Sequence, residues 1–442
     1  MRSEKPKVLQ TLGGRTLLEY LLAAADSLNP KAIHIIVGHG AGMVRTAVSH
    51  RTDVNFIHQE ERLGTGHAMQ QVVTHLQDNS RVLILLGDCP LIRASTLQKL
   101  IKRPGELVVL SVDKDEPSGY GRVLRYETGK VQAIVEERDA TESVASIKEV
   151  NTGVIAADAD RLKYWLSLLT DNNAQREFLL TDIVAHANAD GVDVQVHKTD
   201  DQIEVAGVNT YEQLAELERA LQNEQAKELM RSGVQLMDPS RLDIRGSVIA
   251  GKGVIIDVNV LLIGKVEIGD NVTIGPNCVI KDAIIEAGSE IRANTMIDDS
   301  RVGAGSIVGP FARLRPGSEL CPEVHVGNFV EVKKSKIGTK SKANHLAYIG
   351  DATIGESVNV GAGTITCNYD GVTKHETHIG DEAFIGTNTS LVAPIKIGAG
   401  STIGAGSTIT KDVQSNALAI GRGKQSSIAN WQRPEKNEPE ST

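Results

Sequence analysis

From about residue 245 an aliphatic residue recurs at every sixth position, usually followed by glycine. Ile268-Gly269 and Ile274-Gly275 open the pattern, and Val302-Gly303 and Val308-Gly309 continue it. Ile379, Ile385, Leu391, Ile397, Ile403 and Ile409 form its longest run. No helix or sandwich needs period six over such a length. Each hexad gives one short strand and one turn, so about three hexads close one coil of a parallel β-helix. The aliphatic side chain points inward onto its counterparts in neighbouring coils, and glycine admits the tight corners. This architecture explains why the chain has 42 glycines yet only 3% aromatic residues. The repeat alone is compatible with a purely structural solenoid as well as with a catalytic one.

Two irregularities bear on that choice. RLRPGSELCPEVHVGNFVEVKKSKIG (313–338) gathers Arg313, Arg315, Lys333, Lys334 and Lys336 in a chain whose formal net charge is -9. Such a cluster suits phosphates, or is a solvated face. Thirteen residues separate Thr366 from Ile379, where two hexads would take twelve. NYDGVTKHETH is therefore expected to leave the coil as a loop, and loops on rigid scaffolds often carry function.

The first half has another rhythm. IHIIVGHG, RVLILLGDCPL and ELVVLSV read as buried strands, with GTGHAMQQVVTHL as a helix between the first two. Apolar strands alternating with helices predict an α/β domain with a mostly parallel sheet and chemistry at strand carboxyl ends. Asp88 stands at such an end, as a ligand for Mg²⁺ or as a turn residue. Gly64-Thr65-Gly66 is a tight turn that accepts a base or phosphate, or a plain entry into the helix. Residues 211–233, YEQLAELERALQNEQAKELMRSG, read as a helix between the halves. The expected organisation is 1–209, a linker over 210–233, a β-helix over 234–425, and a Pro/Glu-rich tail over 426–442 that frays at its end.

The negative charge disfavours a nucleic-acid role. The four scattered cysteines have no metal or redox spacing, and no apolar run reaches 18 residues. The expectation is a cytoplasmic protein with neither nucleic-acid binding nor stable membrane association.

PKVL (6–9), QEERLGTGHAMQ (59–70), LLGDCPL (85–91), SGYGRV (118–123), IVEERDA (134–140), EVNTGV (149–154) and VAGVN (205–209) occur in that order. Together they resemble the nucleotidyltransferase half of the bacterial bifunctional N-acetylglucosamine-1-phosphate uridyltransferase/glucosamine-1-phosphate N-acetyltransferase family. The resemblance implies a Rossmann-like uridyltransferase joining UTP to N-acetylglucosamine 1-phosphate with release of pyrophosphate. By that resemblance Lys7 neutralises phosphate charge. Gln59, Gly64 and Thr65 hold the uracil, and Asp88 and Asn209 hold Mg²⁺. Gly121, Glu136 and Asn151 contact the sugar, with Thr152 beside them. Family members carry a strand and a glycine-rich loop, roughly L-A-A-G-x-G-T-R-M, before the Pro-Lys-Val-Leu segment. The Met of that motif aligns with Met1. The expectation is that the loop cradling the UTP phosphates is missing, that neighbouring strands lose a partner, and that uridylyl transfer is severely impaired or lost.

The repeat half is similar to the acetyltransferase half of the same family throughout its length. That resemblance implies a left-handed β-helix, a homotrimer with sites between subunits, and acetyl transfer from acetyl-CoA to glucosamine 1-phosphate. It makes His345 the general base, Glu331 the residue that orients it, and Asn368 the donor to the developing oxyanion. Arg315, Lys333, Tyr348, Asn359 and Lys374 match substrate-pocket positions. Asn368, Tyr369, Thr387, Ala405 and Arg422 match positions that meet acetyl-CoA. Two other readings follow from the same residues: an acetyltransferase alone, or a non-catalytic sugar-nucleotide-binding or structural protein. His345, the basic run and the loop speak against the last.

Overall fold

The structure, a computed structural model, describes Met1 and residues 3–433. The chain divides into two compact units, Met1–Glu224 and Gln225–Thr442.

In the first unit, Thr16 starts the first long helix, Leu17–Asp26. Its hydroxyl accepts from the Glu19 amide at 3.2 Å, and Glu19 returns a carboxylate to the Thr16 amide at 2.6 Å. This reciprocal cap satisfies two of the amides a helix start leaves free. A six-stranded mixed sheet follows. Its central strand, Glu149–Asp158, has Leu107–Asp113 antiparallel along one side. Arg81–Ile84 and Arg122–Arg125 occupy the two ends of its other side. Gln195–Thr199 extends the sheet in parallel, and Val131–Val135 completes a hairpin. Side chains alternate across it. Leu107 and Val109 join Trp165 and Ile183 on one face, and Val108, Leu110 and Val112 join Leu97 and Leu100 on the other. Ile33–Val37 and Val54–His58 pair in parallel as a separate sheet. Among the described residues, Arg81–Ile84 bonds only to the central strand. These outlying strands are half-buried, whereas Leu107–Val112 is fully buried.

Helix Tyr211–Arg231 spans the division. Leu217 packs in a core cluster of the first unit and Leu229 in that of the second.

The second unit is a parallel β-helix with three ladders. One is an 11-stranded sheet; the other two run through a 17-stranded sheet, counted among the described residues. Inward positions stack coil on coil, as in Ile274, Ile291, Val308 and Val326. Corners use left-handed backbone, mostly at Asn, Asp and Gly, which tolerate it. The fraying expected of the tail concerns 434–442, which lie outside the described residues. Among the described residues no helix is long and apolar enough to cross a membrane.

The expected loop is larger than the hexad count implied. The chain turns from Ile349 to Ile354 in five residues but from Thr366 to Ile379 in thirteen, and both pairs lie on the same two ladders. One corner, not two hexads, is the proper reference. The excess forms a tight turn closed by a Tyr369–Lys374 bridge. Asp370 accepts there from the Val372 and Thr373 amides at 2.8 and 2.7 Å.

Candidate active sites

In the first unit three distant segments converge. Lys7 lies in a single helical turn, Asp88 just beyond strand Arg81–Ile84, and Asn209 before the long helix. The Lys7 ammonium donates to Asp88 Oδ2 at 2.6 Å and to Asn209 Oδ1 at 2.8 Å. The Val208 amide donates to the Asp88 carbonyl at 2.9 Å and ties the two acceptor segments together. Two hard oxygens thus face one cation, here the ammonium. The donor set fits Mg²⁺, which takes few protein oxygens and completes its shell from phosphates and water. Among the described residues no group of three His, Cys, Asp or Glu could hold a metal.

Gly64 and Thr65 stand at the start of helix Thr65–Val72. Gly64 has φ 109, and a Cβ there would sit 2.5 Å from the Phe178 carbonyl, so only glycine fits. The Gly66 amide donates to that carbonyl at 2.7 Å, and the Thr65 hydroxyl accepts from Leu180. Gln59 reaches the same turn through the Gly64 carbonyl and His67. The turn is thus a built entry into the helix that requires glycine at Gly64.

Gly121, Glu136 and Asn151 also meet. The Asn151 amide donates to the Gly121 carbonyl at 2.8 Å, and a Cβ on Gly121 would lie 3.4 Å from both Glu136 oxygens. Thr152 instead turns inward to the Leu110 carbonyl. Burial pushes the Glu136 carboxyl up, opposed by a hydrogen bond from Thr181 and reinforced by Asp182 and Asp139. Sequence reasoning missed Arg122, which is fully buried. It bonds the Tyr120 and Ala145 carbonyls and faces Glu137, so it anchors the SGYG loop.

In the second unit a polar cluster forms over Gly350. Lys333 pairs with Gly350 in register. A Cβ on Gly350 would lie 2.5 Å from the Tyr348 hydroxyl and 2.9 Å from Asn368 Nδ2. Beneath them the buried carboxylate of Asp351 accepts from Asn368 Nδ2 and, at 3.2 Å, from Lys333. Lys374 sits beside Lys333, whose ammonium holds it below the ordinary lysine range.

His345 lies across a corner from this cluster. It ends strand Lys342–His345, Leu346 turns the corner with φ 50, and Tyr348 begins the next ladder. His345 Nδ1 meets Asn328 Oδ1 at 2.8 Å, while Glu331 bonds Arg315 at 2.7 Å. The side chain that meets Nδ1 of His345 is thus Asn328, while the Glu331 carboxylate faces Arg315. The register explains it: Glu331 pairs with Tyr348 on one ladder and Asn328 with His345 on another. Asn359 shares the His345 ladder, beside Lys342.

Thr387, Ala405 and Arg422 form an exposed column on successive coils. The Gly406 amide donates to the Thr387 carbonyl at 2.7 Å, and Arg422 donates to the Ala405 carbonyl at 2.9 Å. Tyr369 is exposed at the loop, its hydroxyl on the Gly371 carbonyl.

Three family models match: a MobA-like NTP transferase domain over 1–146, a GMPPB C-terminal domain over 244–337, and six bacterial transferase hexapeptide repeats over 376–411. Curated relatives match over nearly the whole chain. Bifunctional protein GlmU of Marinobacter nauticus is 51% identical over 99% of this chain and 96% of its own. That of Idiomarina loihiensis is 51% identical over 98% and 96%. The chain belongs to the GlmU family. In GlmU terms, the transferase-domain match covers Lys7, the Gly64–Thr65 turn, Asp88, Gly121 and Glu136. The hexapeptide match covers the column at Thr387 and Ala405.

Proposed function

We propose that this chain makes UDP-N-acetylglucosamine in two steps. The second unit transfers acetyl from acetyl-CoA to the amine of glucosamine 1-phosphate. The first joins the product to UTP and releases pyrophosphate. The observation that carries the reading is the coexistence of two built polar sites, Lys7–Asp88–Asn209 and Lys333–Asp351–Asn368–Tyr348 with His345 beside it.

For acetyl transfer, the Asn328 amide oxygen facing Nδ1 places the proton there and leaves the Nε2 lone pair of His345 free. That nitrogen takes a proton from the amine as the amine attacks the thioester carbon; the C–S bond then breaks, and the coenzyme leaves as its thiol with the proton passed back from His345. Asn368 donates an N–H to the carbonyl oxygen as it gains charge. Arg315, Lys333 and Lys374 supply cationic charge for the sugar phosphate. The exposed column of Thr387, Ala405 and Arg422, with Tyr369, suits the coenzyme.

For uridylyl transfer, Lys7 neutralises phosphate charge, and the Gly64–Thr65 turn and Gln59 receive the base. Glu136 and Asn151 orient the sugar so that its phosphate oxygen meets the α-phosphorus in line. Asp88 and Asn209 would hold Mg²⁺, which would supply charge neutralisation on the phosphates. Nothing in the described first unit favours the reading in which acetyl transfer alone operates.

A homotrimer fits the surface of the second unit. Phe311, Phe329 and Leu346 stack on the corner beside His345 and are 50%, 56% and 63% exposed. Large apolar residues at left-handed positions rarely face water in a row. A second copy of the chain covers this ridge and brings its own groups to the His345 edge.

Variants that separate the units test the reading. His345→Ala is expected to abolish acetyl transfer and spare uridylyl transfer; Asp88→Ala is expected to do the reverse. Normal acetylation by the first, or normal UTP turnover by the second, overturns the corresponding assignment.

A further inference from the structure

We infer that Asp351 is a positioning residue of the acetyl-transfer site, holding the Asn368 amide and the Lys333 ammonium where the reaction needs them. The inference rests on the acetyltransferase reading above.

Asp351 occupies a corner whose other members behave differently. The same column of left-handed positions contains Asp282, Asp299 and Lys334, with φ of 45, 42 and 45; Asp351 has φ 48. Those three are exposed. Asp282 does ordinary structural work, accepting from the Lys265 backbone amide at 3.0 Å. Asp351 alone of the four is buried, and its carboxylate accepts from side chains of the site: Oδ2 from both Asn368 and Lys333, with Lys334 3.7 Å from Oδ1.

The chemistry of the pair is directional. A carboxylate only accepts, so it fixes the Asn368 amide with Nδ2 toward Asp351. That leaves one N–H of the same nitrogen for a substrate oxygen, with the Tyr348 hydroxyl near it above Gly350. A charge-assisted bond of this kind is stiffer than one between neutral groups. Burial alone would raise the Asp351 carboxyl. The Asn368 hydrogen bond and the Lys333 and Lys334 ammonium groups outweigh it and hold the carboxyl below its usual range. The anion in turn supports the protonated forms of Lys333 and Lys374. The charged and titratable groups around it are Lys333, Lys334, Lys374 and Tyr348.

Asp351→Asn tests this in the full-length protein. Asparagine keeps the left-handed corner and the shape but removes the charge. Acetyl transfer to glucosamine 1-phosphate is followed from pH 6.5 to 9.5, with oligomer mass and thermal midpoint as folding controls. The expected kcat falls about 10- to 100-fold. The alkaline limb of 1/KM for the sugar phosphate is expected to move to lower pH by about 1, because the two lysines lose their anion. A purely structural residue does not move that limb. Asp351→Glu keeps the charge, and glutamate already occupies left-handed corners at Glu323 and Glu382. It is expected to keep the limb and lose kcat, and it decides the matter if the asparagine variant does not fold. An active wild type with unmoved kcat and limb in Asp351→Asn, or unmoved kcat in Asp351→Glu, overturns this inference alone. A wild type without acetyl transfer overturns the functional reading and this inference with it.

Discussion

Gly350 shows how little room the proposed acetyl-transfer site leaves. Its backbone lies outside the left-handed region, so alanine costs no strain there. The added methyl would nevertheless lie 2.5 Å from the Tyr348 hydroxyl and 2.9 Å from Asn368 Nδ2. Both are side-chain ends, so the fold yields by moving them. Gly350→Ala is expected to keep the thermal midpoint and to lower acetyl-transfer kcat/KM by about 100-fold, since small misplacements cost that much. Unchanged kinetics would show that Tyr348 and Asn368 need not converge. In the sequence this glycine is one of many in a hexad pattern. Asp351 after it reads as an ordinary corner residue, and Asn328 follows Gly327 in the same manner. Spacing cannot separate them, because the repeat fixes where a side chain sits on its own coil and not which side chain of the next coil bends toward it. Lys7, Asp88 and Asn209 pose the same problem over longer separations. Motif order pointed to them, but only the fold puts both oxygens on one ammonium.

At the scale of elements the repeat was legible because inward aliphatics and corner residues are dictated by the coil itself. The Thr366–Ile379 loop was legible in place but not in size. A corner between two ladders takes five residues from Ile349 to Ile354, so counting hexads hid most of the excess. The corner ridge Phe311–Phe329–Leu346 was not read at all, since its members lie outside the inward positions. Phe311 and Phe329 stack with ring centroids 5.4 Å apart, yet each exposes at least half its surface. A carboxylate there would remain solvated in a free chain but be desolvated at a subunit contact. If the proposed trimer is sealed there, Phe329→Asp is expected to shift the protein from trimer to monomer in sedimentation velocity. Acetyl transfer should fall with the trimer, while uridylyl transfer persists. A trimer that survives the change would place the subunit contact on another face.

The two units of the whole molecule differ in how continuously they are packed. In Gln225–Thr442 one stack of aliphatic side chains runs from coil to coil. In Met1–Glu224 the apolar residues divide among four smaller clusters, and strands Ile33–Val37 and Arg81–Ile84 are only half-buried. Stability confined to small clusters opens at lower cost than a continuous stack. The cysteines offer a probe of each unit. Cys321 and Cys367 are partly exposed, whereas Cys89 and Cys278 are buried. Burial pushes the Cys278 thiol up to about 11. Burial, reinforced by Asp88, also pushes up the Cys89 thiol. Neither forms appreciable thiolate at pH 8, and the thiolate is the species that reacts. Alkylation of the native protein at pH 8 should therefore modify Cys321 and Cys367 first. Along a urea gradient, peptide mass spectrometry should find Cys89 modified at a lower midpoint than Cys278. A shared midpoint would mean that both units open in a single cooperative step, and prompt labelling of Cys89 without urea would mean that its core is open in the native state.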